Sequence, residues 1–337
     1  MKILTISIAA YNIERFIKQT LDSLNDERLL DDIEVLIIDD GSKDNTATIA
    51  QKYSDMCPNT FRVIRKENGG YGSTVNRGIA EATGKYFRLL DGDDYVNTDN
   101  LVKFIERLKK SDSDMVICDY RCVDNDGNRS VDPYIIRNGV NCIQSLDDNR
   151  VYDMESGEVD AFAIAIHTLA IKTDLLKEHG VHITEHCYYV DIEFVAWCIA
   201  VADTLMYVDI PVYMYRKDQL NNSVNKASMV KNIAMQETVV YSLFNMYKTF
   251  SLDGIGKGRM ALIRARITGS VGAAIRTYLL MDNSRERTVG FVNKLKSVYP
   301  TLWDEISDDR FISYVTVCNY ILLPLIKIAY KIYLKLR

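Results

Sequence analysis

The sequence predicts an α/β fold built on a mostly parallel central sheet with flanking helices. Over residues 1–125, short apolar runs that resemble buried strands alternate with helical patterns, and polar or acidic residues follow where each run ends. Such alternation is typical of βαβ units, whose parallel sheet is covered on both faces. Ligands bind beyond the carboxyl ends of the strands in these sheets, so we expect the residues that follow the strands to form the functional site.

The expected strands cover residues 3–8, 33–38, 61–65, 86–90 and 115–118. The first helix is expected to follow Asn12 as its N-cap, because an apolar stripe runs from Phe16 to Leu24. Further helices are expected over residues 44–53, 73–82 and 101–108. This order gives one crossover helix between successive strands.

Four groups of residues follow strands and should therefore lie at one edge of the sheet: Tyr11, Asp39–Asp40, Asn68–Tyr71 and Asp91–Asp94. An aromatic ring and several carboxylates in one place suit a nucleotide. The ring can stack on a base, one carboxylate can accept hydrogen bonds from base or ribose, and others can hold a metal ion on the diphosphate.

The stretch Asp91-Gly92-Asp93-Asp94 places three carboxylates within four residues, directly after an apolar run. Carboxylates this close repel one another, and a hard divalent cation such as Mg²⁺ or Mn²⁺ relieves the repulsion while keeping positions open for substrate phosphates. The alternative is a solvated acidic turn, because Asp and Gly are common loop residues.

Composition limits the classes of function. The chain has 337 residues, 47% hydrophobic and 26% charged, which is typical of a globular protein. Its formal net charge of −5 argues against a nucleic-acid partner. The N-terminus lacks a secretion-signal pattern, and the seven cysteines form no CxxC pair, so we expect a cytoplasmic protein with reduced thiols.

The ordered motifs resemble those of family 2 glycosyltransferases with the GT-A fold. The resemblance covers roughly residues 1–125 and rests on four stretches: residues 7–12 (SIAAYN), 37–46 (IIDDGSKDNT), 68–79 with its Asn-Gly-Gly and Asn-Arg-Gly-Ile segments, and 90–94 (LDGDD). It implies a nucleotide-sugar donor. The implied donor-binding residues are Tyr11 and Asp40 at the nucleobase with Asp39 beside them, and also Asn68, Asn76, Asp91 and Gly92.

The same resemblance implies that Asp91 and Asp93 bind Mn²⁺ or Mg²⁺, with Asp93 the more direct ligand. Val75 stands where the family often has an arginine, so no phosphate-binding arginine is assigned there. Gly70–Val75 forms only an incomplete GxGxxG after the third strand, and the sequence has no Walker motif. A dinucleotide-binding or P-loop enzyme is therefore not expected.

Beyond a polar connecting stretch, residues 161–171 are apolar except for His167 and Thr168. His167 is interpreted either as a satisfied core residue or, since this region lies near the acceptor in the family, as an acceptor contact. His179, His182 and His186 cluster in the sequence, but no cysteine pair or HExxH accompanies them, which argues against zinc.

A helix that starts near Val190 would align Asp191 with the apolar residues Phe194, Val195, Cys198 and Ile199. Burial raises the pKa of a carboxyl there and the helix dipole lowers it, so Asp191 can accept a proton at neutral pH. The alternative is that Asp191 only supports the helix start. The segment resembles the family's Glu-Asp motif, whose Asp is the general base. Val190 occupies the usual Glu position, and Glu193 is the reserve candidate, also near the acceptor.

Arg216 follows strand-like pieces around Pro211, and it either reaches a donor phosphate or forms a surface ion pair. From residue 226 the pattern becomes helical, over 229–247, 260–280 and 286–298. The arginines of the middle helix form either a solvated face or a contact to an anionic acceptor.

The tail has no acidic residue after Asp309. Residues 311–326 are nearly all apolar or aromatic, Pro324 is expected to kink the helix, and Lys327, Lys331 and Lys335 recur every fourth residue. The run is shorter than the roughly 20 residues of a membrane span, which favours a helix lying in an anionic membrane interface. The alternative is a helix docked on the domain or on a second subunit, which would give a homodimer.

The sequence thus predicts a GT-A domain over residues 1–225, a helical extension over 226–310 and a membrane-associating segment over 311–337. The expected activity is inverting, metal-dependent transfer from a nucleotide-sugar, most often UDP-linked in this family, to a lipid-linked or other glycan acceptor in surface polysaccharide assembly. It would take place at the inner face of the cell membrane. A nucleotidyltransferase and a non-catalytic nucleotide-sugar-binding scaffold remain the alternatives.

Overall fold

The computed structural model describes residues 1–124, 136–137, 140–141, 143–216, 225–316 and 320–333. The chain divides into two compact units. The first comprises residues 1–219 and 256–259, and the second comprises residues 220–255 and 260–337. Residues 125–135, which the sequence assigned to a connecting stretch, and Lys335 lie outside the described residues.

The first unit is built on a mixed sheet in the order β3-β2-β1-β4-β10-β6-β11-β5, with β9 paired to β11. A separate small ribbon pairs β7 with β8. The strands are β1 (Leu4–Ala10), β2 (Ile33–Asp39), β3 (Phe61–Arg65), β4 (Tyr86–Asp91), β5 (Tyr95–Val96), β6 (Met115–Val123), β7 (Ile136–Arg137), β8 (Val140–Asn141), β9 (Val151–Asp153), β10 (Leu169–Lys172) and β11 (Thr204–Arg216).

Helices flank this sheet and make up the second unit. They are α1 (Ile17–Asp22), α2 (Thr46–Met56), α3 (Tyr71–Glu81), α4 (Thr98–Lys110), α5 (Thr173–Glu178), α6 (Asp191–Val201), α7 (Lys226–Lys231), α8 (Ile233–Leu252), α9 (Lys257–Leu280), α10 (Ser284–Val298), α11 (Pro300–Ile306), α12 (Arg310–Thr316) and α13 (Leu323–Tyr333). A short 3₁₀ turn spans Ala161–Ala163.

The expected α/β fold with a mostly parallel sheet is confirmed. β1 lies between β2 and β4 and runs parallel to both, and β3 continues the parallel arrangement. The apolar residues of β1 and β2 are almost entirely inaccessible to solvent, as the unbroken hydrophobic runs predict for strands covered on both faces.

Two local predictions near α1 and α13 are wrong. Asn12 is not the N-cap of α1, which begins at Ile17. Asn12 has a left-handed backbone (φ 52°), and its side-chain oxygen accepts the N–H of Lys43 at 2.8 Å, so it joins two loops. Pro324 does not kink a helix. It is the second residue of α13, where its missing N–H costs no helical hydrogen bond.

β10 explains how residues distant in sequence reach the end of β4. It runs antiparallel to β4, with Ile171 opposite Phe87 and Lys172 opposite Tyr86, so the residues that precede β10 lie toward the carboxyl end of β4. His167 precedes β10 and is thereby brought to the end of β4. The sequence predicted only an apolar run here, because a four-residue strand has no recognisable period of its own.

The second unit is helical, as the sequence predicted from residue 226 onward. Arg264 forms an ion pair with Glu305 at 2.7 Å, and the Arg276 guanidinium lies over the Phe311 ring at 5.0 Å. These arginines are therefore engaged within the unit. Within the described residues, no helix is both long enough and apolar enough to cross a bilayer.

Candidate active site at the carboxyl edge of the sheet

The carboxyl ends of β1, β2 and β4 lie side by side. The pairing register sets Ala10 beside Asp39 and Ala9 beside Asp91. Residues that follow these strands therefore share one edge of the sheet, which we call the acidic edge (residues 10–12, 39–42 and 91–94).

Tyr11 is the first residue beyond β1, and 49% of it is exposed to solvent. An exposed ring at a strand end is available to a ligand. A planar base can stack on such a ring.

Asp39 and Asp40 are both buried, but their partners differ. Asp39 accepts one hydrogen bond, from the Ser42 N–H at 3.2 Å. Asp40 accepts the N–H groups of Gly69 and Gly70 at 2.9 Å each, and the Lys66 ammonium at 2.7 Å. Asp40 thus holds the glycine turn after β3. The sequence placed Asp40 at a nucleobase with Asp39 beside it, and that assignment remains a prediction.

The two asparagines expected at the donor also differ. Asn68 is exposed at the acidic edge, with its amide nitrogen donating to the Asp40 carbonyl at 3.0 Å. Asn76 uses both ends of its amide on Ile183, at 2.9 Å and 2.8 Å, and its nitrogen also reaches Glu185. Asn76 therefore ties α3 to residues 183–185, and its bonds do not support a donor contact.

Gly92 is required by close packing. A Cβ atom there would lie 2.6 Å from the Ala9 carbonyl oxygen and 2.2 Å from a methyl group of Ile13. The Thr20 hydroxyl lies 3.0 Å and 2.6 Å from the carbonyl oxygens of Gly92 and Asp94. The absence of a side chain at Gly92 thus lets the acidic turn fold back against β1.

Two tyrosine hydroxyl groups organise this turn. Tyr71 donates to Asp91 Oδ1 at 2.9 Å. Tyr213 accepts the Asp91 N–H at 3.2 Å and donates to Asp94 Oδ2 at 2.7 Å. Asp91 and Asp94 are therefore held in fixed positions from both sides.

Arg216 lies beneath the acidic turn and is 3% exposed, so the predicted alternative of a surface ion pair is wrong. Its guanidinium donates to the Asp93 carbonyl at 2.8 Å and to the Gln19 side chain. Its backbone N–H donates to Asp94 Oδ1 at 2.7 Å. In this structure the guanidinium is thus bonded to the acidic turn itself.

His167 faces Asp91 across the end of the sheet, with its Nε2 atom 3.9 Å from Asp91 Oδ2. Three tyrosine rings pack around the imidazole, with ring centres 4.7–5.3 Å away: Tyr120, Tyr213 and Tyr215. Burial, followed by the positive charge of Arg88, lowers the pKa of His167 to about 3. A neutral imidazole that does not protonate near pH 7 is unsuited to acid–base work, but it keeps its nitrogen lone pair.

Electrostatics at the acidic turn favour uncharged carboxyl groups. Burial, and next the charge of Asp93, raise the pKa of Asp91 to about 7. Burial likewise raises the pKa of Asp93, with Arg216 acting in the opposite direction. Burial and the neighbouring charges of Asp91 and Asp93 raise the pKa of Asp94. A cation bound beside these three carboxyl groups would stabilise their ionised form and so lower their pKa values.

Asp191 is the first residue of α6, and its negative charge affects the pKa of a carboxyl group in the acidic turn. After burial and the nearer acids, the negative charge of Asp191 is a further cause that raises the pKa of Asp91 and of Tyr71. The apolar residues expected on the same helical face, such as Phe194 and Cys198, are fully buried. Asp191 is therefore near enough to Asp91 and Tyr71 for its charge to contribute to their pKa shifts.

Glu193, the reserve candidate, occupies a different environment. It is 1% exposed, and its two carboxylate oxygens accept the Thr184 N–H at 2.9 Å and the Thr184 hydroxyl at 3.0 Å. This carboxylate fixes the chain segment that enters α6, which favours a structural role.

Four residues of the site were not assigned from the sequence: Tyr71, Arg88, Asp94 and Tyr213. Arg88 is a single cation inside the apolar run of β4, and a charged residue in a buried strand could have been recognised from the sequence as a candidate for a specific role. Asp94 belongs to the acidic stretch itself. Tyr71 belongs to the Asn68–Tyr71 group expected at this edge, but its role and that of Tyr213 depend on hydroxyl positions that only the folded chain defines.

Among the described residues, Asp91, Asp94 and His167 form a group whose potential ligand atoms lie within 4.8 Å of one another. The sequence had paired Asp91 with Asp93 for the metal. That assignment remains a prediction, and the structure gathers the neighbouring Asp94 and the distant His167 around Asp91.

Residues 5–172 match the family model described as "Glycosyl transferase family 2". EpsH and EpsJ of Bacillus subtilis, both named as glycosyltransferases, are 35% and 34% identical over 128 and 138 residues. These segments cover 38% and 41% of this chain but only 36% and 40% of the relatives' own length. The glycosyltransferase GlyG of Streptococcus pneumoniae is 26% identical over 223 residues, covering 64% of this chain and 71% of GlyG.

The fold has close counterparts among solved structures. Residues 1–349 of S. aureus TarS, in complex with UDP-GlcNAc, superpose with a TM-score of 0.59, covering 89% of this chain and 92% of the TarS chain. The sequence identity is 18%, so this likeness concerns the fold. Together with the family match over residues 5–172, it establishes that the chain belongs to glycosyltransferase family 2 and has the GT-A fold.

Proposed function

We propose that the chain transfers a sugar from a nucleotide-sugar to an acceptor hydroxyl with inversion at the anomeric carbon, in a metal-dependent reaction. The observation that carries the proposal is that the negative charge of Asp191 contributes to raising the pKa of Asp91, although 100 residues separate the two in sequence. The groups proposed for the diphosphate and the base proposed for the acceptor would then act at the same edge of the sheet.

For the donor, Tyr11 offers an exposed ring for the nucleobase, and Asp39 has a carboxylate with spare acceptor capacity beside it. Asn68 is exposed at the same edge. The TarS structure contains UDP-GlcNAc, which supports a UDP-linked donor here. Asp40 acts indirectly, since it positions the Gly69–Gly70 turn from which Asn68 projects.

The residues of the acidic turn fit a divalent cation such as Mn²⁺ or Mg²⁺. Asp91 and Asp94 supply oxygen atoms, the Asp93 carboxyl is next to them, and burial makes their negative charges costly unless a cation is near. A bound cation would supply stabilisation of the charge that develops on the departing diphosphate.

Asp191 is the proposed general base. It accepts the proton of the acceptor hydroxyl while that oxygen forms a bond to the anomeric carbon. The bond between the anomeric carbon and the diphosphate oxygen breaks at the same time, and the nucleoside diphosphate leaves with the electron pair. Attack opposite the leaving group inverts the anomeric configuration.

We further propose a lipid-linked glycan acceptor at the inner face of the cell membrane, in surface polysaccharide assembly. Within the second unit, α13 exposes an apolar stripe, with 54–65% exposure at Leu325, Ile328 and Ile332. The exposed Lys331 lies on the same helix, and the sequence has no acidic residue after Asp309. An apolar face beside lysines suits an anionic membrane interface.

The enzymatic proposal is tested by incubating the full chain with a panel of UDP-, GDP- and other nucleotide-sugars, with Mn²⁺ or Mg²⁺, and measuring release of the nucleoside diphosphate. We expect release from one donor class, dependent on the metal, and its loss in Asp91→Asn. Metal-independent release, or parental activity in Asp91→Asn, would contradict the metal assignment.

A further inference from the structure

The His167 side chain has a position that neither the core nor the proposed reaction explains. It lies mostly inside the protein, with 19% of the side chain exposed, yet within the described part of the chain neither ring nitrogen has a hydrogen-bond partner. The distance from His167 Nε2 to Asp91 Oδ2 is 3.9 Å, which is too long for a hydrogen bond. An imidazole nitrogen that has no protein partner and lies beside a carboxylate is open to a ligand.

The ring is also held firmly. Arg88, which lies on the same strand as Asp91 and is 1% exposed, donates to the His167 carbonyl at 2.5 Å and to the Thr168 carbonyl at 3.4 Å. The Thr168 hydroxyl accepts the Ala165 N–H at 2.9 Å, which fixes the turn that leads into β10. With three tyrosine rings packed around it, the imidazole cannot turn away from the acidic edge.

The group formed by Asp91, Asp94 and His167 has the composition of a metal site. Two carboxylates and one imidazole, with ligand atoms within 4.8 Å of one another, can close around one cation with small side-chain movements. We propose that His167 is a nitrogen ligand of the metal at the acidic turn, and that it makes the site prefer Mn²⁺ over Mg²⁺. This inference rests on the proposed function and names the metal that serves it.

The preference follows from ligand chemistry. Mg²⁺ takes oxygen ligands and keeps several of its waters. Mn²⁺ also favours oxygen ligands but, as a first-row transition metal, it binds at mixed nitrogen and oxygen sites as well. Replacing one oxygen position by a fixed nitrogen therefore costs Mg²⁺ more than Mn²⁺. Arg88 is a positioning residue in this account, because it acts through the backbone of residue 167.

The test uses the full chain, MnCl₂, MgCl₂ and UDP, and does not depend on turnover. Binding of Mn²⁺ is followed by electron paramagnetic resonance, and electron spin-echo modulation reports whether a ¹⁴N nucleus coordinates the ion. The variant His167→Phe retains an aromatic ring for the tyrosine cluster and removes the nitrogen. The exposed His182→Phe is the matched control.

We expect a ¹⁴N signal and an Mn²⁺ preference in the parental chain and in His182→Phe. In His167→Phe the ¹⁴N signal should disappear and Mn²⁺ affinity should fall roughly 10- to 100-fold, the range seen when groups around a metal ligand are removed. Parental Mn²⁺ binding without ¹⁴N coupling would overturn the proposal but leave the carboxylate metal site, and thus the proposed function, intact. This result comes from the parental chain alone, so it can be obtained even if His167→Phe does not fold.

Failure of the parental chain to bind Mn²⁺, with or without UDP, would overturn this inference and the metal dependence together. The role of Asp191 is tested separately, by the rate of sugar transfer in Asp191→Asn. Equal Mn²⁺ affinity in His167→Phe and the parental chain would contradict the role of His167 alone.

Discussion

At the scale of single residues, adjacent positions in one motif perform different tasks. Asp39 ends β2 and Asp40 follows it. The Asp40 carboxylate accepts hydrogen bonds from two glycine N–H groups and from the Lys66 ammonium, whereas the Asp39 carboxylate accepts one hydrogen bond. A strand alternates its side chains, so consecutive aspartates at a strand end necessarily point in different directions. The sequence predicted the motif, but the division of roles depends on partners 26–30 residues away.

Substitution of Tyr11 and Asp40 separates ligand contact from support. Tyr11→Ala should weaken UDP binding about tenfold or more without lowering the melting temperature, because the ring is half exposed and base stacking contributes about 1–3 kcal/mol. Asp40→Ala should lower the melting temperature as well, because buried N–H groups left unpaired cost about 1–3 kcal/mol. Calorimetric titration with UDP and thermal unfolding of both variants provide the readouts. Tyr11→Phe is the control and should bind normally. Loss of UDP affinity confined to Asp40→Ala would show that the base lies elsewhere.

At the scale of secondary-structure elements, the long strands were predictable and the short ones were not. The strands expected at residues 33–38, 61–65 and 86–90 agree with β2, β3 and β4 to within one residue. These runs carry enough apolar residues to be recognised without their neighbours. β5 and β10 have two and four residues and exist only because neighbouring strands pair with them.

The position of the candidate base depends on how α3 packs against the segment before α6. A Cβ atom at Gly72 would lie 2.0 Å from the Thr184 carbonyl oxygen, so this helix can approach residues 183–185 only at a glycine. Gly72→Ala should lower stability by about 1–3 kcal/mol, typical of forced overpacking, and should reduce sugar transfer more than UDP binding. Chemical denaturation and UDP titration measure the two effects. Gly290→Ala is the control, because its Cβ meets open space. Unchanged stability in Gly72→Ala would contradict this packing.

The pairing of β6 with β11 contains one partly buried acid, Asp119, whose pKa makes stability depend on pH. Burial raises the pKa of Asp119 to about 6, aided by the charge of Asp209 and opposed by a hydrogen bond from Tyr207. The folded-state pKa lies above the ordinary value of 3.8, so the folded state binds the extra proton and stability falls as pH rises from about 4 to 6.

Asp119→Asn mimics the protonated carboxyl and should remove this loss. We expect the variant to be more stable than the parental chain by about 1–3 kcal/mol above pH 6, with the difference shrinking toward pH 4. Urea unfolding at pH 4, 5, 6 and 7.5 measures it. A constant difference at all pH values would show that the effect is not ionisation.

At the scale of the whole molecule, sequence and structure agree on the class of fold and differ in what they reveal about the second unit. The sequence predicted helices from residue 226 and an amphipathic tail, and the helices are present. The sequence alone did not indicate which tail residues are exposed, because that depends on the neighbours of α13. Leu323 is 1% exposed, whereas Leu325 two residues later is 65% exposed.

The exposed stripe of α13 predicts membrane association. Leu325→Glu combined with Ile328→Glu should abolish sedimentation with vesicles containing anionic phospholipid and leave UDP binding unchanged, because charged residues are expelled from the interface. Val298→Glu is the matched control, since Val298 is 55% exposed on another helix of the same unit. Persistent sedimentation of the double variant would contradict the stripe as anchor. A change from dimer to monomer without any vesicle binding by the parental chain would assign the stripe to a second subunit.

The central claim is that Asp191 and the acidic turn form one catalytic centre in which Asp191 removes the acceptor proton. The most direct test is the pair Asp191→Asn and Glu193→Gln, with each variant assayed for metal-dependent UDP binding and for the rate of sugar transfer. Asp191→Asn should bind UDP normally and transfer about 10²- to 10⁴-fold more slowly, the usual contribution of a general base. Glu193→Gln should mainly lose stability, because that carboxylate holds Thr184. Transfer at the parental rate in Asp191→Asn would contradict the account.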